Sequence, residues 1–470
     1  MVYIVGYTAS SDFPTTATVY DASYNYGDDA FISKLNGGLT SLVESTFLGG
    51  SGNDRGNSIA ITAGGKVYVT GYTTSLNFPV TAGAYDTSYN GAEVFVSWFN
   101  SDLWRLRAST FLGGSYSDVG NAIAINRFGS VYVTGYTQSY DFPVTSGAYD
   151  TIHNGHDVFV SKFDGSLKSL KASTLLNGTV GNSIAVDRSG NIYVTGEARE
   201  GLPFPTTAGA YDTSYNGGFT DAFVSKFNSK LSRLMASTLL GGSSFDLAMS
   251  IAIDKNGDVY IAGHTAYSEI DLPTTSGAYD REFNGMWDAF VSKFNSGLTS
   301  LLASTFLGGS GIDGGNSMDI DRSGHIYITG STESSMPDSP FPTTYAAYDK
   351  SHNGKRDVFV TRFDSKLSEF FCDAPKLDAA PEPLEIKNQE SKEVTVAVTC
   401  KNGTPFVGVI VKATIIMGEE YINVSPGRAV TDVDGKAIFK ITAVELGAAR
   451  IRFESEGRKD DVDVHVGISL

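Results

Sequence analysis

The chain has 470 residues, 41% of them hydrophobic, and a formal charge of −17 at pH 7. That charge argues against nucleic-acid binding, whose phosphates need a basic surface, and no run approaches the about 20 apolar residues that span a bilayer. Abundant Tyr (24), Phe (28) and Gly (52) suit short strands joined by tight turns.

In chain order, Met1 is followed at once by the strand Val2-Tyr3-Ile4-Val5. Neither the basic region nor the apolar region of a secretory signal is present. The expectation is a processed or truncated N-terminus, and a further repeat upstream would be compatible with it. From here to residue 371 one motif recurs six times, with a period of about 65 residues. The copies return at Gly71-Tyr72-Thr73, Gly135-Tyr136-Thr137, Gly196, Gly263-His264-Thr265 and Gly330-Ser331-Thr332. Units of this kind bury their apolar faces on their neighbours.

The second copy shows the pattern. A leading strand at residues 57–61 is followed by the turn Ala63-Gly64-Gly65 and a second strand at 66–71. A long loop carries Phe78-Pro79 and Tyr85-Asp86 and ends at Asn90-Gly91, a strong turn signal. The third and fourth strands are read at 93–99 and 106–112. Four short antiparallel strands per repeat predict the blade of a β-propeller. Strands such as Val67-Tyr68-Val69-Thr70-Gly71 are apolar on both sides, as sheets covered on both faces require. The glycine ending each second strand is expected to mark a close backbone approach. The first copy lacks its leading strand, and the sixth copy's fourth strand, around 367–371, is degenerate.

The run 181–196 (Gly-Asn-Ser-Ile-Ala-Val-Asp-Arg-Ser-Gly-Asn-Ile-Tyr-Val-Thr-Gly) and the run 204–218 (Phe-Pro-Thr-Thr-Ala-Gly-Ala-Tyr-Asp-Thr-Ser-Tyr-Asn-Gly-Gly) resemble the SBBP ("seven-bladed beta-propeller") repeat family. The resemblance covers residues 1 to about 371. It implies a propeller in a secreted or cell-surface prokaryotic protein, without a catalytic signature. This chain departs from the family's name by showing six copies.

Alternating strand direction puts the long loops, and the loops between repeats, on one side of the sheets. Loops on a rigid scaffold are where binding usually resides. Pro14, Pro79, Pro143, Pro205, Pro273 and Pro342, and the Tyr-Asp pairs ending at Asp21, Asp86, Asp150, Asp212, Asp280 and Asp349, recur in every copy. Such constancy reads as scaffold: proline fixes φ, and aspartate caps a turn. Loop carboxylates Asp54, Asp118, Asp246 and Asp313 are candidate oxygen ligands for calcium, without any EF-hand spacing. The tips before each third strand vary, and His156, Phe219, Trp287 and Arg356 there are the partner-contact candidates. No nucleophile elbow, Walker loop or metalloprotease motif is present, so no catalytic residue and no cofactor is assigned.

After residue 373 the texture changes. Residues 374–383 read as a Pro/Ala linker, and 384–470 as alternating strands of an immunoglobulin-like β-sandwich. The runs 402–411 and 431–437 resemble bacterial Ig-like domains of invasin-type surface proteins. Cys372 and Cys400 are either a single disulfide or two free thiols. Asn177, Asn402 and Asn423 head glycosylation sequons.

The expected fold is therefore all-β: a six-repeat propeller over 1–373 and an Ig-like sandwich. The expected function is a non-catalytic extracellular or cell-surface scaffold that presents its loop face to a protein or glycan, or that self-associates. Two alternatives stand beside it: a structural subunit of a surface layer or filament, and a carbohydrate-active enzyme using a central channel.

Overall fold

The computed structural model describes residues 1–266, 272–335, 340–343, 347–349, 351–367, 376–399, 410–432, 436–455 and 458–467. The chain forms two compact units, Met1–Pro342 with Ser351–Ser368, and Thr343–Lys350 with Glu369–Leu470. Every regular element among the described residues is a β-strand.

Among its described residues the first unit holds six antiparallel sheets, each made of strands consecutive in the chain. The second sheet contains Asp54–Ile61, Val67–Thr73, Glu93–Phe99 and Leu106–Leu112. The third, fourth and fifth repeat that plan with four strands each. The first sheet, Val2–Thr8, Asp29–Leu35 and Leu42–Leu48, begins at the second strand of the pattern, as the sequence indicates. The sixth shows Asp313–Ile320, Ile326–Thr332 and Asp357–Phe363. Its expected fourth strand lies, from residue 368 on, outside the described residues.

Val67 to Gly71 are buried without interruption. The reason is a neighbouring sheet on either side. Val67, Val69, Phe95, Phe99 and Leu103 pack on Ala30, Ile32 and Leu48 of the first sheet. Tyr68, Val94 and Val96 point the other way and pack on Val131, Val133, Phe159, Phe163 and Leu167 of the third. The same apolar junction recurs between the third and fourth sheets and between the fourth and fifth.

A polar latch accompanies each junction. The N–H groups of Tyr20, Tyr85, Tyr149, Tyr211 and Tyr279 donate to the carbonyls of Leu103, Leu167, Leu231, Leu298 and Leu367 in the following sheet, at 2.8–3.0 Å. Those leucines hold φ between 50° and 58°. A left-handed leucine costs about 1–2 kcal/mol. Full burial of its side chain, which contributes about 1.5–3 kcal/mol, offsets that strain.

The recurrent glycine marks a close approach, but within its own sheet. A Cβ on Gly71 would lie 1.8 Å from the Arg55 carbonyl oxygen. The leading strand bulges between Gly56 and Ser58, and the bulge presses its backbone onto Gly71.

Among its described residues the second unit has a four-stranded and a five-stranded sheet. They share one core, with Val394, Val396, Phe439 and Ile441 from one sheet and Ile451, Phe453, Val462 and Val464 from the other. Residues 374–383 are not simply a linker: Lys376–Ala380 is a strand paired to Ser391–Thr399. Leu377 and Ala379 alternate into the core, which explains why a Pro/Ala-rich segment is ordered there.

Candidate binding face

The antiparallel order places the long loops and the loops between sheets together. The repeated aspartates anchor them: Asp21, Asp86, Asp150, Asp212 and Asp280 each accept, through Oδ1, the backbone N–H two residues on, at 2.8–2.9 Å. This is the expected turn cap.

On this frame the variable tips are the free element. Phe219 is 59% exposed and stacks on Phe245, with centroids 4.7 Å apart and planes inclined by 12°. Phe245 in turn lies 6.0 Å from Trp287, and Trp287 packs edge-on against His264 at 5.2 Å. Parallel bridges pair Thr220 with Phe245 and Trp287 with Ile312, so backbone pairing fixes the spacing of these rings. Two residues expected at a contact surface, Phe219 and Trp287, thus belong to one aromatic row across the fourth and fifth sheets. Met286 beside them is exposed. Burial holds His264 near pKa 4, so the row carries no charge at neutral pH.

The other two candidates lie elsewhere. His156 is half-buried and stacked on Tyr136 at 5.0 Å; burial lowers its pKa. Arg356 is exposed and ion-paired with Glu333 at 2.7 Å.

The structure corrects the placement of the carboxylates. Asp54, Asp118, Asp246 and Asp313 are the buried first residues of leading strands, not loop-surface groups. Their Oδ2 atoms accept the N–H groups of Gly50, Gly114, Gly242 and Gly309 at 2.7 Å. Ser75, Ser139 and Ser334 hydroxyls donate to Asp54, Asp118 and Asp313 as well. These carboxylates therefore tie one sheet's exit loop to the next sheet. No group of three or more metal-ligating side chains gathers among the described residues. Each has a carboxylate of the preceding third strand nearby. A Cβ on Gly49 would sit 2.6 Å from Asp29 Oδ1 and 2.8 Å from Asp54 Oδ2, and one on Gly113 would meet Glu93 and Asp118 in the same way. Burial pushes Asp29 to about 6, Glu93 to about 8 and Asp221 to about 7. Glu93 therefore keeps its proton at neutral pH.

Asn177 is half-buried, its amide donating to the Pro203 carbonyl at 3.3 Å. Asn423 is exposed on the strand Ile422–Ser425. Asn402, Cys372 and Cys400 lie outside the described residues.

The profile of the SBBP beta-propeller repeat matches residues 104–143 and 173–202. These segments are SBBP repeats. The first SBBP match spans the end of the second sheet and the start of the third, and the second match joins the third sheet to the fourth. The matched stretches thus run across junctions rather than within single sheets. No curated protein matches the chain. Similar solved structures include domains 4 and 5 of the S-layer protein SbsC, at 15% identity and TM-score 0.18, covering 24% of this chain and 63% of that one. A longer SbsC fragment, residues 31–844, gives 9% identity and TM-score 0.18, covering 88% of this chain and 54% of that one. The D00-D0 domain of intimin gives 13% identity and TM-score 0.18, with 47% and 86% covered. The chain spans less than two thirds of either S-layer structure.

Proposed function

We propose that this protein is a non-catalytic scaffold of the cell surface or extracellular space that binds a protein or glycan through its loop face. In this reading the SBBP sheets are the blades of a β-propeller and the second unit is an Ig-like module. The aromatic row Phe219–Phe245–Trp287 carries the proposal. Phe219 and Trp287 sit at tips that differ from repeat to repeat, Phe245 lies between them in the loop joining the two sheets, and aromatic side chains are favoured both at interfaces and against sugar faces. Repeat proteins build such surfaces by varying the residues that the fold leaves free.

Probing glycan and protein arrays with the unaltered chain and with Phe219→Ala tests it. The expected result is a ligand retained by the former and weakened at least tenfold by the latter, at unchanged melting temperature. A ligand indifferent to Phe219→Ala and Trp287→Ala would sink this assignment of the face.

One observation favours a second reading, a structural subunit of a surface layer or filament. Among the described residues, Val358 and Val360 of the sixth sheet are exposed, at positions that elsewhere in the repeat unit are buried against a neighbouring sheet.

A further inference from the structure

Most junctions between successive sheets bury two carboxyl groups side by side. The pairs are Asp29 with Asp54, Glu93 with Asp118, Asp221 with Asp246 and Asp288 with Asp313, every member fully buried. The first glycine of each exit loop lies against both. A Cβ on Gly241 would sit 2.6 Å from Asp221 Oδ1 and 2.9 Å from Asp246 Oδ2, and Gly49, Gly113 and Gly308 are placed alike. The junction between the third and fourth sheets departs from this plan and serves as an internal control. There Thr179 stands at the register position of Asp54, and Asn177 at that of Gly49. The single carboxylate left, Asp157, has His153 Nε2 at 3.5 Å. Glycine thus accompanies a carboxylate pair, and the lone carboxylate accompanies a basic partner.

Two anions packed together out of water destabilise one another, and one retained proton removes the conflict. The hydrogen bonds indicate which group keeps it. Asp221 Oδ2 accepts the Asn216 N–H at 2.8 Å, and Asp29 and Glu93 accept the Asn25 and Asn90 N–H groups in the same way. The other oxygens, Asp29 Oδ1, Glu93 Oε2 and Asp221 Oδ1, point at the glycine and meet no donor among the described residues. An O–H there is turned toward the second carboxylate. That second group is the ionised one: Asp54 and Asp118 Oδ2 each accept a glycine N–H and a serine hydroxyl.

The pair between the fourth and fifth sheets lies under the aromatic row. Asp221 is two residues beyond Phe219, and Asp246 directly follows Phe245. The ring stack and the Thr220–Phe245 bridge join the same two segments. We infer that Asp221 and Asp246 form a proton switch for the aromatic row: holding one proton between them they keep Phe219 against Phe245, and holding none they carry opposed like charges and let the two segments part. This rests on the loop-face reading above and adds its regulation.

The groups around the pair do not neutralise it. Asp212 adds a negative charge on the fourth sheet's long loop. Burial, then the charges of Asp221, Glu200 and Asp246, raises Tyr215 to about 12, so it stays neutral. His264 of the fifth sheet is neutral, and Asp288 beside it belongs to the next pair. Arg199, the strand partner of Thr220, is exposed. Burial, with the charges of Asp246 and Asp212 adding to it, lifts Asp221 to about 7. The folded chain binds this proton more tightly than the unfolded one, so the contact is held below about pH 7 and lost as pH rises through it.

Amide hydrogen exchange of residues 219–221 and 241–246 reads the contact without any ligand. After correction for the intrinsic effect of pH, the unaltered chain is expected to lose protection there at least tenfold between about pH 6 and pH 8.5. Asp221→Asn and, separately, Asp246→Asn leave one ionisable group in the pair, and each is expected to hold protection constant over that range. Glu93→Gln, at another junction, should leave the loss at 241–246 as it was. Protection that does not fall with pH, or that falls as steeply in both asparagine variants, would overturn the inference. Recovery at the alkaline pH on adding calcium chloride would mean that a cation rather than a proton fills the pair, and would overturn it too. The loop-face reading fails separately: a ligand indifferent to Phe219→Ala removes that reading and leaves the exchange result to decide the switch.

Discussion

The two units solve the same problem, covering apolar strands, in different ways. In the second unit, Lys436–Ala443 alternates exposed and buried residues, because each sheet has one partner across a single core. In the repeat unit, Thr220–Phe227 is buried at almost every residue, because each inner sheet has a partner on both sides. An unbroken apolar run therefore reports two neighbours, and an alternating run reports one.

Charge substitutions sharpen the contrast most. Phe223→Asp and Val224→Asp point to opposite faces, and both are expected to destabilise the repeat unit by more than about 4 kcal/mol, since either buries an unpaired charge. In the second unit Phe439→Asp should do the same, while its neighbour Ile438, 49% exposed, should tolerate Asp within about 0.5 kcal/mol. Denaturant titration of the four variants is the check. Equal damage from Ile438→Asp and Phe439→Asp would break the comparison.

The response to pH should differ in sign. In the repeat unit, burial raises Asp29, Glu93 and Asp221 to about 6, 8 and 7. Unfolded carboxylates titrate near 4. The folded state therefore holds these protons more tightly, and stability is lost as pH rises from about 4 through 8. In the second unit, pairing with Arg450 lowers Asp463, with Arg452 lowers Asp461, and with Lys459 lowers Glu454. Those groups contribute stability above the unfolded value that is lost as pH falls through their lowered values. Exposure and salt make this second effect small. Hydrogen exchange at pH 5 and pH 9 reads the two units separately. Glu93→Gln should flatten the alkaline part of the repeat unit's slope.

The smallest effect contrasts two equivalent leucines. Leu39→Gly relieves a left-handed side chain that buries little, and should stabilise the chain by up to about 1 kcal/mol. Leu103→Gly removes a buried plug at the same turn position and should cost about 2–5 kcal/mol. Thermal melts of both variants measure the difference.

Much of this was legible in the sequence. Apolar runs such as Val67 to Gly71 located the strands and announced cover on both faces. The bulged starts of the leading strands were not legible, because Asp54-Arg55-Gly56 reads as polar loop. The burial of Asp54 comes from the neighbouring sheet, which local composition does not display. Phe219 and Trp287 are legible because the tips vary between copies. Phe245 carries the same signal without standing among the expected contacts: its counterparts include Asn53, Ser117 and Ile312. In the Pro/Ala segment, proline content hid the alternation of Leu377 and Ala379 that makes a strand.

Each inner sheet of the repeat unit owes its order to neighbours on both faces. Hydrogen exchange on the unaltered chain tests it most directly. Strands Glu93–Phe99, Asp157–Phe163, Thr220–Phe227 and Trp287–Phe294 should be protected alike, and Asp357–Phe363 should exchange at least tenfold faster. Equal protection of all five strands would contradict the account.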